Sequence, residues 1–346
     1  MRALVYHGPG QRAWEEVPVP EITDEGDAIV RVDATTICGT DLHILAGDVP
    51  EVRPGRILGH EAVGTVDEVG DDVHRLSPGD RVLVSCISGC GTCRSCREGR
   101  YGQCAEGGGW VLGRRIDGTQ AEYVRVPYAD TSTYRIPDGV SDEAILMLAD
   151  ILPTGYEVGV LAGGVRPGDV VAVVGGGPVG QLAALAAQSH GAAVVVVSDP
   201  VPARRESAAA QGAVPCEPAG ARPLLDAVTD GRGADVVVEA VGGSHGLDAA
   251  LDLVRDAGVV VSVSAHQQQD WAFPLARSFA GQRTVRFVIG DSIALRDTLT
   301  AVVTAGLVDP GFVLTARDLL DEAPRRYRDM RDLSELKVLL DVREHR

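Results

Sequence analysis

The chain has 346 residues, 45% of them hydrophobic and 23% charged, a usage that excludes a disordered chain and leaves room for two cores rather than one. Its 49 Asp and Glu outnumber 32 Lys and Arg, for a net charge of −17, so nucleic acid is not expected as a partner. No apolar run reaches the ~18 residues of a spanning helix, and Met1–Gly10 meets His7 and Gly8 before an apolar signal core builds up. No membrane span and a cytoplasmic location are therefore expected.

The first part, to about Pro137, carries short β-branched runs broken by Gly, Pro and Asp: Ala28–Val32, Ala62–Val66, Arg81–Val84 and Glu122–Val126. They read as strands of a mostly β domain with long loops. Among them Cys90, Cys93, Cys96 and Cys104 fall in one short stretch beside Gly89, Gly91, Gly99 and Gly102. Four thiolates on a chain that turns sharply close a tetrahedral site, which suits a structural zinc; an iron–sulfur cluster is the other group that four thiolates hold. Seven cysteines so distributed do not form a secreted disulfide framework.

From Asp169 the pattern changes. Val170–Val174 reads as a buried strand, Pro178–His190 as an alanine-rich helix and Ala193–Ser198 as a second strand, together a βαβ unit. The alternation continues through helix Pro202–Gln211, strand Asp235–Ala240, helix Gly246–Asp256 and strands Gly258–Val263 and Val285–Ile289, the order of a doubly wound parallel sheet in an α/β protein. The run Gln267–Gln269 is too short for a low-complexity segment. After Asp291 come helical material and a late apolar strand, Leu336–Leu340, expected to return to the first domain. The expected boundaries are 1–152 for the first domain with its cysteine loop at 86–105, 153–290 for the second, and 291–346 for the returning segment.

Gly175-Gly176-Gly177-Pro178-Val179-Gly180 satisfies G-x-G-x-x-G directly after a strand and at the start of a helix. Gly175 permits the tight turn, Gly177 lets a pyrophosphate approach the backbone, and Gly180 lets helix and strand pack closely. The helix start at Pro178 and Val179 presents free N–H groups to the phosphates. Asp199 ends the next strand about twenty residues on, where a carboxylate binds the adenosine ribose and selects NAD. Arg204 and Arg205 follow closely and soften its repulsion of a 2′-phosphate.

Two motifs are left that neither domain needs for folding, Cys38-Gly39-Thr40-Asp41-Leu42-His43 and Gly59-His60-Glu61. With Gly64, Gly79-Asp80-Arg81-Val82, the cysteine loop and the dinucleotide fingerprint, the chain resembles the zinc-dependent medium-chain alcohol dehydrogenases over essentially its whole length. The resemblance implies a mostly β, GroES-like catalytic domain joined to a Rossmann domain, with two zinc ions per subunit, one catalytic and one structural. It also implies exchangeable NAD and a homodimer or homotetramer formed through the edges of the cofactor-domain sheets. It gives the catalytic zinc three ligands: Cys38, His60 and, just before the cofactor domain, Asp150. Many relatives have Cys at that third place, whereas the secondary-alcohol and formaldehyde dehydrogenase branches use Asp. Glu61 competes for the position, as in polyol-dehydrogenase relatives.

By the same resemblance, hydride passes from an alcohol to the nicotinamide, and the proton leaves through the Thr40 hydroxyl, the cofactor ribose and His43. Trp110, Cys86 and Ile87 would wall the substrate pocket, and Lys337 would reach the cofactor phosphates. The expected function is interconversion of a small or medium alcohol, secondary or primary, with its ketone or aldehyde. A polyol or amino-alcohol dehydrogenase using Glu61 as a ligand is the second reading. A non-catalytic NAD- and zinc-binding redox sensor is the third.

Overall fold

The computed structural model describes residues 1–264, 266 and 270–342; the Gln267–Gln269 run and the last four residues of the returning segment lie outside the described residues. The chain divides into two units, Met1–Asp150 with Asp291–Arg346, and Ile151–Gly290.

In the first unit the strand Ala28–Ile37 is buried along nearly its whole length. It therefore sits in the middle of a sheet. It pairs antiparallel with Ala62–Val69, Tyr123–Val126 and Lys337–Asp341, with Val30 opposite Val66 and Thr35 opposite Leu340. Beyond these the seven-stranded sheet runs out through Arg81–Val84 and Thr133–Arg135 on one side and Leu314–Leu319 on the other. Its β-branched side chains, Val30, Val32, Ile37, Val66, Val82 and Val338 among them, pack in one core with Tyr327 and Met330 of helix Ala323–Arg331. Burying each such side chain contributes roughly 1.5–3 kcal/mol. A three-stranded sheet, with Arg2–Gly8 between Gln11–Glu16 and Arg56–Ile57, covers a smaller cluster around Ala3, Val5 and Ala121.

The second unit is a six-stranded, all-parallel sheet in the order Val214–Cys216, Val194–Ser198, Val170–Val174, Ala234–Glu239, Val254–Ser262, Thr284–Phe287. Val170–Val174 is buried at every residue, as a central parallel strand with helices on both faces must be. The order reverses around it, which opens a crevice at the carboxyl ends of the strands. One expected element differs. The helix Gly243–Leu253 stops at Leu253, and Val254–Ser262 is strand. Val254 pairs with Ala234, and a register shift follows before Val236 meets Val259, so ladder bonding to the neighbouring strand overrides the helical spacing of Leu251 and Val254. Among the described residues no single helix is long and apolar enough to cross a membrane.

Candidate active site and cofactor turn

Cys38 stands at the junction of strand Ala28–Ile37 and helix Gly39–Ala46, where its backbone N–H donates to Asp41 Oδ2 at 2.9 Å. This carboxylate at the helix start satisfies an N–H that would otherwise be orphaned. His60 lies in the bend leading into strand Ala62–Val69 and is only 3% exposed. Asp150 follows the single turn Met147–Ala149, which is tied to the first unit by the bond from Cys86 N–H to Ala149 O at 3.0 Å. These segments bring Cys38, His60, Glu61 and Asp150 into one cluster whose donor atoms all lie within 4.8 Å of one another.

Inside the cluster the groups are not equivalent. Asp150 Oδ2 is 3.7 Å from Cys38 Sγ and 3.4 Å from His60 Nε2. Ligands about 2.0–2.3 Å from a tetrahedral zinc stand roughly 3.3–3.8 Å apart, so these spacings fit the ion. Nδ1 of His60 faces Asp41 Oδ1 at 3.6 Å, and neither atom has another partner. That is the carboxylate–histidine arrangement that turns Nε2 toward a metal. Burial alone would push the His60 pKa down, but Asp150, Asp41 and Cys38 hold it well above its ordinary value. A donor set that otherwise retains a proton against desolvation is one that a divalent cation completes by displacing it.

Glu61 is held differently. Its Oε1 is 3.9 Å from His60 Nε2, and its carboxylate binds Lys337 Nζ at 2.6 and 3.0 Å and the Thr36 hydroxyl. Lys337, expected at the cofactor phosphates, is thus corrected: it is 1% exposed and paired with Glu61. Its strand Lys337–Asp341 runs antiparallel to Ala28–Ile37, which carries the ammonium to the end of that strand beside Thr36. The lysine is fully buried, yet Glu61, Cys38 and Asp150 outweigh desolvation and raise its pKa.

On helix Gly39–Ala46, Thr40 Oγ1 is 3.8 Å from Cys38 Sγ. His43, one turn later, meets Asp48 at 2.8 Å through Nδ1 and is partly exposed. The ring of Trp110 packs edge-on against His60 at 6.2 Å, with its Nε1 bound to Leu112 O. Cys86 and Ile87 form a small apolar cluster with Ile293, against which Tyr101 and Trp110 pack. Ile293 was missed from sequence because it arrives from the returning segment on helix Ser292–Thr304.

Cys90, Cys93, Cys96 and Cys104 are likewise within 4.8 Å of one another, and all are free thiols. Cys90 and Cys96 sulfurs are 3.9 Å apart, close to the ~3.8 Å between thiolates on one tetrahedral zinc. Backbone N–H groups of Cys90 and Cys93 donate to the sulfurs of Cys104 and Cys90. Although burial raises it, the Cys90 thiol is pulled down to about 6 by bonds from Cys93 and Thr92. Backbone N–H groups also lower the Cys93 thiol, whereas burial pushes Cys96 up to about 12, so the loop favours thiolates at Cys90 and Cys93 and leaves Cys96 to be deprotonated on metal binding.

In the second unit Gly175 has φ +97, and a Cβ there would strike Val241 and Ala240 O. A Cβ on Gly180 would lie 1.9 Å from Gly175 O. Both glycines are required by the protein's own packing. At Gly177, by contrast, the nearest atom to an added Cβ is Arg204 Nη1 at 4.0 Å. The space over Gly177 and the start of helix Pro178–Ser189 is open, the cradle a pyrophosphate needs. Asp199 is buried and accepts the N–H groups of Gly176 and Val201, each at 2.8 Å, and Arg204 Nη1 stands 3.6 Å from its Oδ2.

The chain is similar to known proteins over both units. The model of the alcohol dehydrogenase GroES-like domain matches residues 24–138, and that of the zinc-binding dehydrogenase matches residues 178–305. An alcohol dehydrogenase of Cupriavidus necator is 35% identical over 351 residues, covering 94% of each chain. A glutathione-independent formaldehyde dehydrogenase of Pseudomonas aeruginosa is 34% identical, covering 84% of this chain and 81% of its own. The solved alcohol dehydrogenase TADH from Thermus sp. ATN1 superposes with a TM-score of 0.92 at 38% identity, over 99% of this chain and 100% of that one.

Proposed function

Because the chain belongs to the zinc-binding alcohol dehydrogenases, we propose that it oxidises and reduces its alcohol substrate at a zinc held by Cys38, His60 and Asp150. Glu61 is withheld from the metal by Lys337. The observation that carries this reading is the division of the two carboxylates: Asp150 Oδ2 reaches both Cys38 and His60, while both oxygens of Glu61 are taken by Lys337. When bound, zinc supplies Lewis acidity toward an alcohol oxygen at the position that three protein ligands leave open. Thr40, beside Cys38, can accept a proton and donate its own, and His43, one turn along the helix and partly exposed, can pass a proton to solvent.

Gly175, Gly177, Pro178, Val179 and Gly180 would cradle the phosphates of NAD and Asp199 would hold its ribose, the cofactor supplying the hydride acceptor when bound. Arg204, next to Asp199, tempers the preference against NADP. Cys90, Cys93, Cys96 and Cys104 would hold a second zinc, whose role with four protein ligands and no open position would be structural. The apolar wall of Cys86, Ile87, Ile293 and Trp110 favours small to medium alcohols over polyols. The engaged state of Glu61 argues against the polyol reading, and the complete set Cys38, Thr40, His43, His60 and Asp150 argues against a sensor without turnover.

The chain acts as a homo-oligomer through the edge of its parallel sheet, where Phe287 of the outer strand Thr284–Phe287, Ile289 just after it, and Leu275 and Phe279 of the preceding helix Leu275–Ala280 are 59–83% exposed. Phe279→Glu should yield monomers on sedimentation, and an unchanged state would remove that interface. Free thiols throughout agree with a cytoplasmic location.

The test is initial-rate nicotinamide reduction with paired primary, secondary and polyhydroxy alcohols on metal-replete protein. Cys38→Ser and His60→Ala should abolish turnover and leave NADH binding intact. Retained turnover would remove the zinc mechanism, and a preference for polyols would return Glu61 to the metal.

A further inference from the structure

Behind His60 lies a chain of buried polar groups that runs from Asp41 of the Cys38–His43 motif to Gln120 and Tyr327, which belong to no motif of the sequence. Asp41 Oδ2 accepts two N–H bonds, from Cys38 N at 2.9 Å and from Gln120 Nε2 at 3.3 Å. The same Gln120 amide nitrogen donates to Thr36 O at 3.0 Å, and Gln120 Oε1 accepts the phenolic O–H of Tyr327 at 2.8 Å. Gln120, Asp41 and Tyr327 are each at most 1% exposed, so water cannot substitute for any partner.

The direction of every bond in this chain is forced. The Thr36 carbonyl and the Asp41 carboxylate only accept, so the end of Gln120 that faces them is its NH2. Its oxygen therefore faces Tyr327, and the phenol has to be the donor. Burial and the nearby Asp41 carboxylate raise the Tyr327 pKa well above its ordinary value, which keeps that proton in place. With Oδ2 of Asp41 committed to Cys38 and Gln120, Oδ1 is left bare 3.6 Å from His60 Nδ1, itself without any other partner. A carboxylate oxygen with no other donor fixes the Nδ1–H tautomer and leaves the Nε2 lone pair for the metal side.

Packing reinforces the bonds. A Cβ on Gly59, the residue before His60, would lie 2.7 Å from Gln120 Cγ, so the glutamine stem lies directly against the histidine's backbone. Arg12 stacks 5.0 Å from the Tyr327 ring centre and donates to Pro324 O at 2.7 Å, clamping the start of helix Ala323–Arg331.

We propose that Tyr327 and Gln120 are positioning residues for the metal centre: the phenol orients the Gln120 amide, the amide anchors Asp41, and Asp41 sets the tautomer and aim of His60. The inference rests on the reading of Cys38, His60 and Asp150 as metal ligands. It assigns a function to the returning segment, whose helix supplies the first member of the relay.

The experiment is chelator competition on full-length, zinc-loaded protein, with the four-cysteine site as internal control, together with the visible spectrum after cobalt substitution. Tyr327→Phe keeps the ring and removes only the donor. It should weaken zinc at the Cys38 site by about tenfold, at the lower end of what loss of an outer-shell partner costs, shift the cobalt bands and leave the four-cysteine site unchanged. Gln120→Met should do the same, which covers the case in which one variant folds poorly. The effects of Tyr327→Phe and Asp41→Asn should be non-additive, since both act through one chain of bonds. Wild-type affinity and spectrum in both variants, with only thermal stability reduced, would overturn the relay, as would additive effects. A wild-type protein holding one zinc rather than two would instead remove the metal-site reading itself, and the stoichiometry tells the two failures apart.

Discussion

Replacing Lys337 by Met leaves the Glu61 carboxylate buried without a cation. Both side chains are 1% exposed and the closest N–O distance is 2.6 Å. At an effective dielectric of ~20 that separation corresponds to about 6 kcal/mol of attraction, which several kcal/mol of desolvation per ion largely offsets. The intact pair is therefore nearly neutral for stability, whereas loss of one partner costs roughly 3–5 kcal/mol. The Thr36 hydroxyl remains on the carboxylate, which puts the expected loss at the lower end, ~3 kcal/mol. Urea unfolding followed by tryptophan fluorescence reads this directly, because Trp14 and Trp110, two of the three tryptophans, lie in the first unit. Glu61→Gln with Lys337→Met should regain most of the loss, since a neutral pair of similar volume carries no stranded charge. Added zinc should rescue Lys337→Met more than wild type, because the freed carboxylate stands 3.9 Å from His60 Nε2 and can turn to the metal. A loss under ~1 kcal/mol in zinc-free protein, or a double variant as unstable as the single one, would refute the reasoning.

Other substitutions probe the rest of the molecule. Cys93→Ser should lower the zinc content by one per subunit and depress the thermal midpoint while NADH binding persists; unchanged metal content by atomic absorption would sink the structural-zinc assignment. Asp199→Gly should shift the ratio of kcat/KM for NAD and NADP toward NADP by at least about tenfold, whereas an unchanged ratio would mean the ribose is read elsewhere. It should also destabilise the fingerprint turn, which loses the acceptors for the Gly176 and Val201 N–H groups. Gly180→Ala should abolish NADH binding and cost about 1–3 kcal/mol, because the new Cβ meets a backbone oxygen at 1.9 Å that cannot swing away. Normal binding by that variant would contradict the tight turn.

What the sequence makes legible follows the range of the interactions. Val170–Val174 and the glycine turn after it are specified by neighbours within about a dozen residues, and the strand has the bounds its valine run suggests. The four cysteines are as local. The end of helix Gly243–Leu253 is not: whether Val254 continues the helix or starts a strand is decided by Ala234, its ladder partner. Lys337 is the sharpest case. A lysine in an apolar strand looks the same whether it reaches a phosphate or a buried carboxylate, and its partner Glu61 is 276 residues away. Gln120 and Tyr327, separated by 207 residues, carry no motif at all. The candidate ligands Cys38, His60 and Asp150 stand out within their own segments, but the groups packed behind them are placed by the topology.

That topology also sets an order of events during synthesis. The first unit is interrupted by the second, and the strand Lys337–Asp341 that lies against Ala28–Ile37 is synthesised only after the whole of that second unit. At about 5–20 residues per second, Lys337 follows Asp150 by roughly 10–40 s. For that interval the nascent chain holds Cys38, His60, Glu61 and Asp150 but lacks both the cation that restrains Glu61 and the phenol that orients Gln120. A metal captured then would meet two competing carboxylates. A chain terminated before Tyr327 would carry Cys38, His60, Glu61 and Asp150 yet lack the groups that distinguish the two carboxylates.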